Sequence, residues 1–465
     1  MIGSDSKMIR AGARAIHDPP KGLRHDAAVW TLIAALVMAA AVGLRLWPGP
    51  ARGAGIGGAY LYAFQRAPRG SVIRDLQREI AFYQERITRD PRGGLDLASR
   101  AGAYLRMARA TGDLSWYLLA TQAARRSLAN LPFNNTAASL VLARIAEARH
   151  DFREAIRLAD GAPGHEESLA IKVSSYLAMG RVDLAAQAAD RLVAVRPALG
   201  SYTLRALVRL ARGEDEEALA DLKRGLTAEE PGEMGPSALA RTYLGRLHYR
   251  RGRLRQAATL YREALRILPQ YPLALLNQAE LELRQGRYRE AERHFAQVVT
   301  ISEASPNVYD HTVLRGLARV RELQGDRAGA ERMWDEAERR LRRDVTTGAF
   351  GHRRELARLL LERGRPEDVP EALSLMRAEI RIRQDAETMD ILAWALSRSG
   401  RWGEARQAIR EALRWGVRDA AMFYRAALIE EALGNQASAQ AFFHAAQATD
   451  PTFDAHARHV IGLGL

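Results

Sequence analysis

The sequence predicts an all-α protein built as a solenoid of stacked helical hairpins. A glycine, an alanine and an aromatic residue recur together at a spacing of 34 residues, at Gly252, Ala257 and Tyr261 and again at Gly286, Ala291 and Phe295. A second pattern with the same spacing occurs near the C-terminus, at Gly400, Ala405, Ile409 and Ala412 and again at Gly434, Ala439, Phe443 and Ala446. Alanine, leucine and arginine dominate the composition, and long β-branched runs are absent. This composition favours helices throughout the chain.

Each residue type in this pattern has a physical role in a helical hairpin. Gly245 lies where the first helix is expected to cross the second, because only a small side chain permits a close approach. Gly252 is expected to end the first helix, since glycine adopts the left-handed conformation freely. Tyr261 fills the space between hairpins, and Pro269 marks the end of the second helix. Each hairpin then exposes an apolar surface that the next hairpin covers.

The residues that end a first helix recur along the chain and give the number of hairpins. They are Gly112, Gly180, Gly213, Gly252, Gly286, Gly325, Gly364, Gly400 and Gly434, with His150 at one position. Their spacing predicts about ten hairpins between Asp96 and Pro451.

The best single copy of the pattern resembles a known repeat family. Its marked positions are Leu244, Gly245, His248, Gly252, Ala257, Tyr261, Ala264 and Pro269. This copy resembles the tetratricopeptide repeat consensus at each of these positions except His248, which stands where the consensus has a bulky aromatic residue. The resemblance covers roughly three quarters of the chain and implies a right-handed superhelical solenoid.

The resemblance also implies where a partner binds. In the tetratricopeptide family the concave face is lined by the first helix of each hairpin. Its usual contact positions correspond here to Arg246, Tyr249, Arg250, Arg284, Arg315, Arg319, Arg354, Arg358, Trp394, Arg398 and Tyr424. Guanidinium groups and flat rings suit an extended, carboxylate-bearing peptide, through bidentate hydrogen bonds and stacking. The alternative is a solvated surface without a specific ligand, because arginine is common throughout this chain.

The N-terminal region predicts a membrane anchor. Eighteen uncharged and mostly apolar residues run from Ala27 to Leu44, which is close to the length of a spanning helix. Five basic residues precede this run and two follow it closely, so the positive-inside bias favours a cytoplasmic N-terminus. We therefore expect a single-pass protein of the cytoplasmic membrane with its repeats outside the cytoplasm. A cleavable signal peptide, which would give a secreted protein, and a buried soluble helix are the alternatives.

These features divide the chain into six segments. They are a basic cytoplasmic segment at 1–26, an anchor helix at 27–47, a flexible glycine-rich tether at 48–70, an amphipathic capping helix at 71–94, the solenoid at 95–451 and a C-terminal capping helix at 452–465. The helix at 71–94 has two interpretations, a cap on the first hairpin or a membrane-surface helix.

The charge balance and the residue counts restrict the function classes. The formal net charge is +14, and only four of the 69 basic residues are lysines. Such a charge is compatible with an anionic partner, although a solvated Arg/Glu helix surface is the simpler explanation, because no run of five like charges occurs. The chain has no cysteine, which excludes disulfides and thiolate chemistry.

Catalytic and metal-binding patterns are missing from the sequence. We find no nucleophile elbow, phosphate-binding loop, zinc-ligand spacing or catalytic carboxylate pair. His456 and His459 could share one helix face, but further ligands are lacking, so a polar capping helix is the simpler interpretation. The sequence thus predicts no enzyme, no cofactor and no metal.

The predicted function is a non-catalytic scaffold that binds a protein or peptide partner, which is acidic if the arginines contact it. One alternative is a binder of an anionic polymer, either nucleic acid or an envelope glycopolymer; nucleic acid is disfavoured because aromatic residues are sparse among the basic ones. The other alternative is a regulatory subunit of an envelope enzyme complex. The fold alone does not separate these functions.

Overall fold

The computed structural model describes residues 60–66, 68, 70–299, 307–347 and 352–463. The predicted basic segment at 1–26 and the predicted anchor at 27–47 lie outside the described residues. All described residues belong to the compact unit that begins at Tyr60. Within that unit, no described helix combines the length and the apolar character that crossing a membrane requires.

The described residues form 22 α-helices and one short 3-10 helix, Pro366–Asp368. The α-helices are α1 Ser71–Arg89, α2 Gly94–Thr111, α3 Ser115–Asn130, α4 Thr136–Ala148, α5 Phe152–Ala159, α6 Glu166–Ala178, α7 Val182–Val195, α8 Leu199–Ala211, α9 Asp215–Thr227, α10 Met234–Arg250, α11 Leu254–Ile267, α12 Pro272–Arg284, α13 Tyr288–Val299, α14 Asp310–Leu323, α15 Arg327–Thr347, α16 Arg353–Arg363, α17 Val369–Glu379, α18 Ala386–Arg398, α19 Trp402–Leu413, α20 Ala420–Ala432, α21 Gln436–Thr449 and α22 Ala455–Val460. Helices α2 to α21 pack as ten successive pairs, which we number as hairpins 1 to 10. The all-α solenoid prediction is confirmed.

The predicted helix-ending residues have the backbone conformation that the pattern requires. All nine glycines have φ between 67° and 83°. His150 has φ 62° and is one of two described non-glycine residues with positive φ. The chain therefore reverses direction at the same left-handed residue in every hairpin, even where a side chain must adopt that conformation.

Close packing within and between hairpins follows the predicted residue sizes. A Cβ placed on Gly245 would lie 2.5 Å from the ring of Tyr261, which is fully buried. Gly316 of hairpin 7 faces the ring of Phe295, which belongs to the second helix of hairpin 6. In these two places the aromatic ring of a second helix occupies the space that a glycine of a first helix leaves open.

One part of the predicted tether is not free. The backbone N–H of Tyr62 donates to Glu263 at 3.0 Å, and Arg241 donates to the carbonyl of Tyr60 at 2.7 Å. Tyr62 is buried and lies 5.7 Å from the guanidinium carbon of Arg241. An aromatic side chain and a buried arginine therefore hold residues 60–66 against hairpin 5, whereas the flexibility of the rest of the tether stays a prediction.

Helix α1 packs against α2 of the first hairpin. Arg86 pairs with Asp96 at 2.7 Å, and the buried Leu76 and Ile87 face inward, whereas Phe82 stays exposed. This packing is what a cap on the first hairpin requires.

Hairpins that are far apart in sequence also touch one another. The carbonyl of Gly112 accepts a hydrogen bond from Val308, and the carbonyl of Ala178 accepts one from Gln384, both at 2.9 Å. Gly213 faces the carbonyl oxygen of Gly416. In each case the loop inside one hairpin meets the start of the sixth hairpin after it, about 200 residues later. The helix-ending residue therefore has a second role, since a side chain at these positions would obstruct the facing loop.

Candidate partner-binding cavity

The first helices of hairpins 5 to 10 surround two adjoining cavities, which we call together the inner cavity. Their volumes are about 120 Å³ and about 410 Å³, and both open to solvent. Nine of the eleven predicted concave residues line them, namely Arg246, Tyr249, Arg250, Arg284, Arg315, Arg319, Arg354, Arg358 and Trp394. Arg398 and Tyr424 do not, and the role of all eleven in binding a partner stays a prediction.

Acidic side chains neutralise most of the predicted arginines. Eight arginines and seven carboxylates line the inner cavity. Arg246 pairs with Glu280, the residue 34 positions later, at 2.9 Å. Arg425 pairs with Asp390 across a similar step at 2.8 Å. The concave face is therefore a mixed-charge surface rather than a row of free guanidinium groups.

Glu362 joins three of these arginines. It is 3% exposed and accepts hydrogen bonds from Arg315 at 2.9 Å and Arg358 at 2.7 Å, while Arg319 lies 4.0 Å away. Burial opposes ionisation of Glu362, but the three guanidinium groups outweigh it and lower its pKa to about 2. Glu362 is therefore a carboxylate that fixes three cavity side chains in place.

Arg354 and Arg358 share a second carboxylate, Glu387 of α18. The distances are 3.5 Å and 3.1 Å. Arg354 is the main reason that the pKa of Glu387 falls to about 2, although burial opposes the change. These pairs connect hairpins 8 and 9 across the cavity wall.

The predicted aromatic residues pack beneath the arginines. Tyr249 and Trp394 are both buried, with Arg284 5.1 Å from the first ring and Arg425 4.5 Å from the second. Cation–π contact of this kind holds each guanidinium flat against the wall. The two rings therefore build the cavity wall and present little surface to a ligand.

Two predicted arginines remain accessible. The side chain of Arg250 is 42% exposed, and the nearest carboxylate oxygen, on Asp419, lies 3.8 Å away. Arg398 is exposed and donates to the carbonyl of Gly364 at 3.2 Å. These two side chains can reach a ligand without breaking a short ion pair.

The sequence reasoning missed that the C-terminal segment of the chain enters the inner cavity. Phe453, Ala457, Val460 and Ile461 line it together with the first helices. Tyr424 stacks edge-on against Phe453 at 6.0 Å, which explains why it lies under this segment instead of facing the cavity. The sequence carries part of the signal, because Ala457 and Val460 are spaced for one face of a short helix, but Phe453 and Ile461 lie outside α22.

The histidine pair of this segment has structural contacts. The ring of His456 lies 3.1 Å from the carbonyl oxygen of Leu283, and burial lowers the pKa of His459. Within the described ranges, no group of three or more histidines or carboxylates is arranged to hold a metal ion.

Comparison with known proteins agrees with the repeat pattern. A sequence profile described as Tetratricopeptide repeat matches residues 172–233, 206–272, 242–309 and 392–452. Cellulose synthase operon protein C of Pseudomonas fluorescens is 29% identical over 272 residues, which cover 54% of this chain and 20% of that protein. This chain thus spans about a fifth of the length of that curated relative.

Two solved structures show a similar arrangement of helices. One is the human IFIT1 dimer with PPP-AAAA, at 14% identity and a TM-score of 0.44 over 81% of this chain and 87% of the other. The second is a tetratricopeptide repeat protein from Parabacteroides merdae, at 17% identity and a TM-score of 0.35 over 58% of this chain and 98% of the other. We draw no functional conclusion from similarity at this level. The profile matches, together with the hairpins and their left-handed helix ends, identify residues 172–309 and 392–452 as tetratricopeptide repeats.

Proposed function

We propose that this protein is a non-catalytic scaffold that binds a segment of a protein partner in the inner cavity. One observation carries the proposal, namely that a peptide segment already lies there. Residues 453–461 of the chain contact the first helices of hairpins 6 and 10, as a bound peptide would. A surface that holds one short helix has the shape and the apolar floor that another helix needs.

The ion pairs refine the chemistry of the proposed partner. An acidic peptide that engaged Arg315, Arg354 or Arg358 would have to compete with Glu362 and Glu387. Breaking a buried pair leaves an uncompensated charge, which costs about 3 to 5 kcal/mol. We therefore propose that apolar contacts supply most of the affinity, and that carboxylates of the partner meet the exposed side chain of Arg250 in the cavity.

The proposed location rests on the sequence alone. The apolar run at 27–47 and the basic residues before it support a chain anchored in the cytoplasmic membrane, with its repeats on the outer side. Protease access to a C-terminal tag in intact spheroplasts tests this location. Cleavage of the tag is expected, and a tag that stays protected until the membrane is permeabilised would reverse the proposed topology.

Site-specific photocrosslinking tests the scaffold function. A photoreactive amino acid at Arg250, on the edge of the cavity, is expected to capture a discrete protein partner in native membranes. The matched control is the same substitution at Arg262, an exposed arginine on the second helix of the same hairpin. Equal capture from both positions would contradict a concave binding site.

The same experiment separates the polymer alternative from the scaffold. Capture of nucleic acid or of an anionic glycan at Arg250, with retention that falls steeply as salt is added, would replace the scaffold with a polymer binder. A partner that remains bound at high salt is expected if apolar contacts dominate, because salt screens exposed charges and leaves apolar burial intact.

A further inference from the structure

The C-terminal segment crosses from the last hairpin to the middle of the solenoid. At its start, Arg284 of α12 donates to Asp450 at 2.6 Å and to the hydroxyl of Thr452 at 2.7 Å. Further along, the ring of His456 meets the carbonyl of Leu283. A helix that only covered hairpin 10 would make none of these contacts with hairpin 6.

The buried surface of this segment is apolar. Phe453, Ala457 and Val460 are 7%, 2% and 7% exposed, and Ile461 is partly buried. Ala457 and Val460 lie three positions apart on one face of α22, whereas Phe453 precedes the helix and Ile461 follows it. The segment therefore presents one apolar helix face together with an apolar residue on each side of the helix.

The floor beneath this face is formed by two hairpins. Val460 packs with Leu275, Leu276 and Leu283 of α12. Phe453 and Ala457 pack with residues of hairpin 10, where Arg458 also lies 4.8 Å from the ring centre of Tyr424. Without the segment, this floor would be an open apolar groove between hairpins 6 and 10.

The C-terminal end of the segment packs its backbone directly against Glu362 and Arg319. Gly462 has φ 77°, and a Cβ on it would lie 2.7 Å from the side chain of Glu362. The segment therefore covers Glu362 and Arg319, two residues of the predicted binding surface.

A six-residue helix is not stable by itself, because helix nucleation is unfavourable and so few hydrogen bonds do not offset it. The helical form of residues 455–460 thus depends on the floor that it contacts. A longer amphipathic helix with the same anchor pattern would contact the same floor with a lower ordering cost.

We infer that the apolar floor between α12 and α20 is a docking site for an amphipathic helix of a partner protein, and that residues 453–461 occupy it until the partner displaces them. The partner helix carries apolar residues on one face, with a small residue followed three positions later by a branched aliphatic residue, as Ala457 and Val460 do in the resident segment. This inference rests on the proposed function and adds to it the class of partner and a self-blocking segment.

A labelled synthetic peptide tests the inference on the full-length chain. The probe is the sequence of residues 450–463, DPTFDAHARHVIGL, with a fluorophore at its N-terminus. Fluorescence anisotropy compares the wild-type chain with Val460→Asp, which places a charge on the apolar floor and releases the resident segment. The probe is expected to bind Val460→Asp at least tenfold more tightly than wild type.

Two controls keep the result specific. Val195→Asp makes the same change at a valine that is 53% exposed, and it is expected to bind the probe as weakly as wild type. A probe that itself carries Val460→Asp is expected to bind no variant. Gly462→Val is a second releasing variant that adds no charge, for use if Val460→Asp does not fold.

Amide hydrogen exchange shows whether Val460→Asp has released the resident segment, so that a lack of probe binding can be interpreted. Amides 456–462 are expected to lose protection in Val460→Asp while α10 and α18 keep theirs. Equal binding of the probe to wild type and Val460→Asp would overturn the inference, as would absence of binding to a variant whose segment is unprotected. A wild-type dimer that Val460→Asp converts to monomer would also overturn it, since the segment would then be exchanged between copies.

Failure of this inference can be told apart from failure of the scaffold proposal. If the crosslinker at Arg250 captures the same partner with equal yield in wild type and Val460→Asp, the scaffold stands and displacement is wrong. If the probe binds the released variant but Arg250 captures no protein, the docking site stands and the scaffold proposal is wrong.

Discussion

Gly213 faces the backbone of Gly416 so closely that a side chain at position 213 would overlap the carbonyl oxygen of Gly416. The two residues belong to hairpins 4 and 10, and both have positive φ. The positive φ of each glycine and the packing within its own repeat do not require the two glycines to be close. Their short separation is therefore a direct result of the contact between distant hairpins.

We expect Gly213→Ala to destabilise the protein more than Gly286→Ala. Both changes force alanine into the left-handed conformation, which costs about 1 to 2 kcal/mol. Gly286 has open space around it, whereas Gly213 does not, so overpacking adds about 1 to 3 kcal/mol there. Urea denaturation of the two variants measures the difference. Equal loss of stability would mean that the facing loops separate at little cost.

We expect Glu362→Gln to lower stability at neutral pH and to matter progressively less in acid. Because the folded pKa of Glu362, about 2, lies below its ordinary value of 4.5, its contribution to stability is complete above about pH 4.5 and is lost as the pH falls towards 2. The carboxylate of Glu362 contributes about 3 kcal/mol to the free energy of unfolding at pH 7. Thermal melts from pH 2.5 to 7 measure this, with Glu290→Gln, which breaks an exposed pair with Arg293, as a control expected to change little. A pH-independent difference would contradict the assignment.

We expect Glu379→Gln to stabilise the protein above pH 7. The carboxyl group is fully buried, neither oxygen accepts a hydrogen bond, and Arg353 lies 3.9 Å away; burial together with Glu355 outweighs this arginine and raises the pKa of Glu379 to about 7. The folded state therefore holds a proton that the unfolded state has lost between pH 4.5 and 7, so stability falls as the pH rises through that range. Removing the ionisable group is expected to gain up to about 3 kcal/mol at pH 8 and little at pH 4.5.

Calorimetry at both pH values measures the effect of Glu379→Gln. Glu371→Gln on the same helix is the matched control, because Arg342 lowers the pKa of Glu371 and the expected sign is opposite. A loss of stability in Glu379→Gln at pH 8 would show that the carboxylate has a favourable partner in solution.

We expect the Asp390–Arg425 pair to behave as a buried unit. Either Asp390→Leu or Arg425→Met alone leaves one buried charge and costs about 3 to 5 kcal/mol. The double substitution is expected to recover most of that loss, since apolar residues of similar volume often replace a buried ion pair at little cost. A double-mutant cycle in urea measures the coupling. If the losses of unfolding free energy in the two single variants simply add in the double variant, the two side chains are not coupled and the pair is not a buried unit.

The repeat pattern could be predicted from sequence because its causes are local. A left-handed helix end requires a residue such as Gly252, and a close helix crossing requires a small residue such as Gly245 opposite Tyr261. Even His150 was placed correctly, since it stands at the same step of the pattern. Each of these requirements is met within a few tens of residues.

The contacts between distant hairpins could not be predicted in this way. They depend on the small rotation between successive repeats, summed over six of them, and no single position records that sum. Gly213 looks in sequence like any other helix-ending glycine. The same limit applies to Tyr62 and to residues 453–461, which contact hairpins far away in sequence.

The repeat register predicts that the concave residues share one face, and nine of the eleven line the inner cavity, but it does not predict their ion pairs. Arg246 pairs with Glu280, which stands one repeat later on the same face. Counting arginines without their partners 34 residues away overestimates the positive charge of the surface. Trp394 and Tyr249 are expected to offer flat rings to a ligand, but both rings are buried against Arg425 and Arg284.

The contact between each early hairpin and the sixth one after it has an evolutionary consequence. Repeat arrays commonly gain and lose units, because each unit touches only its neighbours. In this chain, a unit duplicated between Gly213 and Gly416 would change the partner of each distant contact that spans it, and Gly213 would then meet the loop at Gln384 that now faces Gly180. Such a duplication is therefore expected to be retained less often than one at the ends of the array, which displaces none of these contacts.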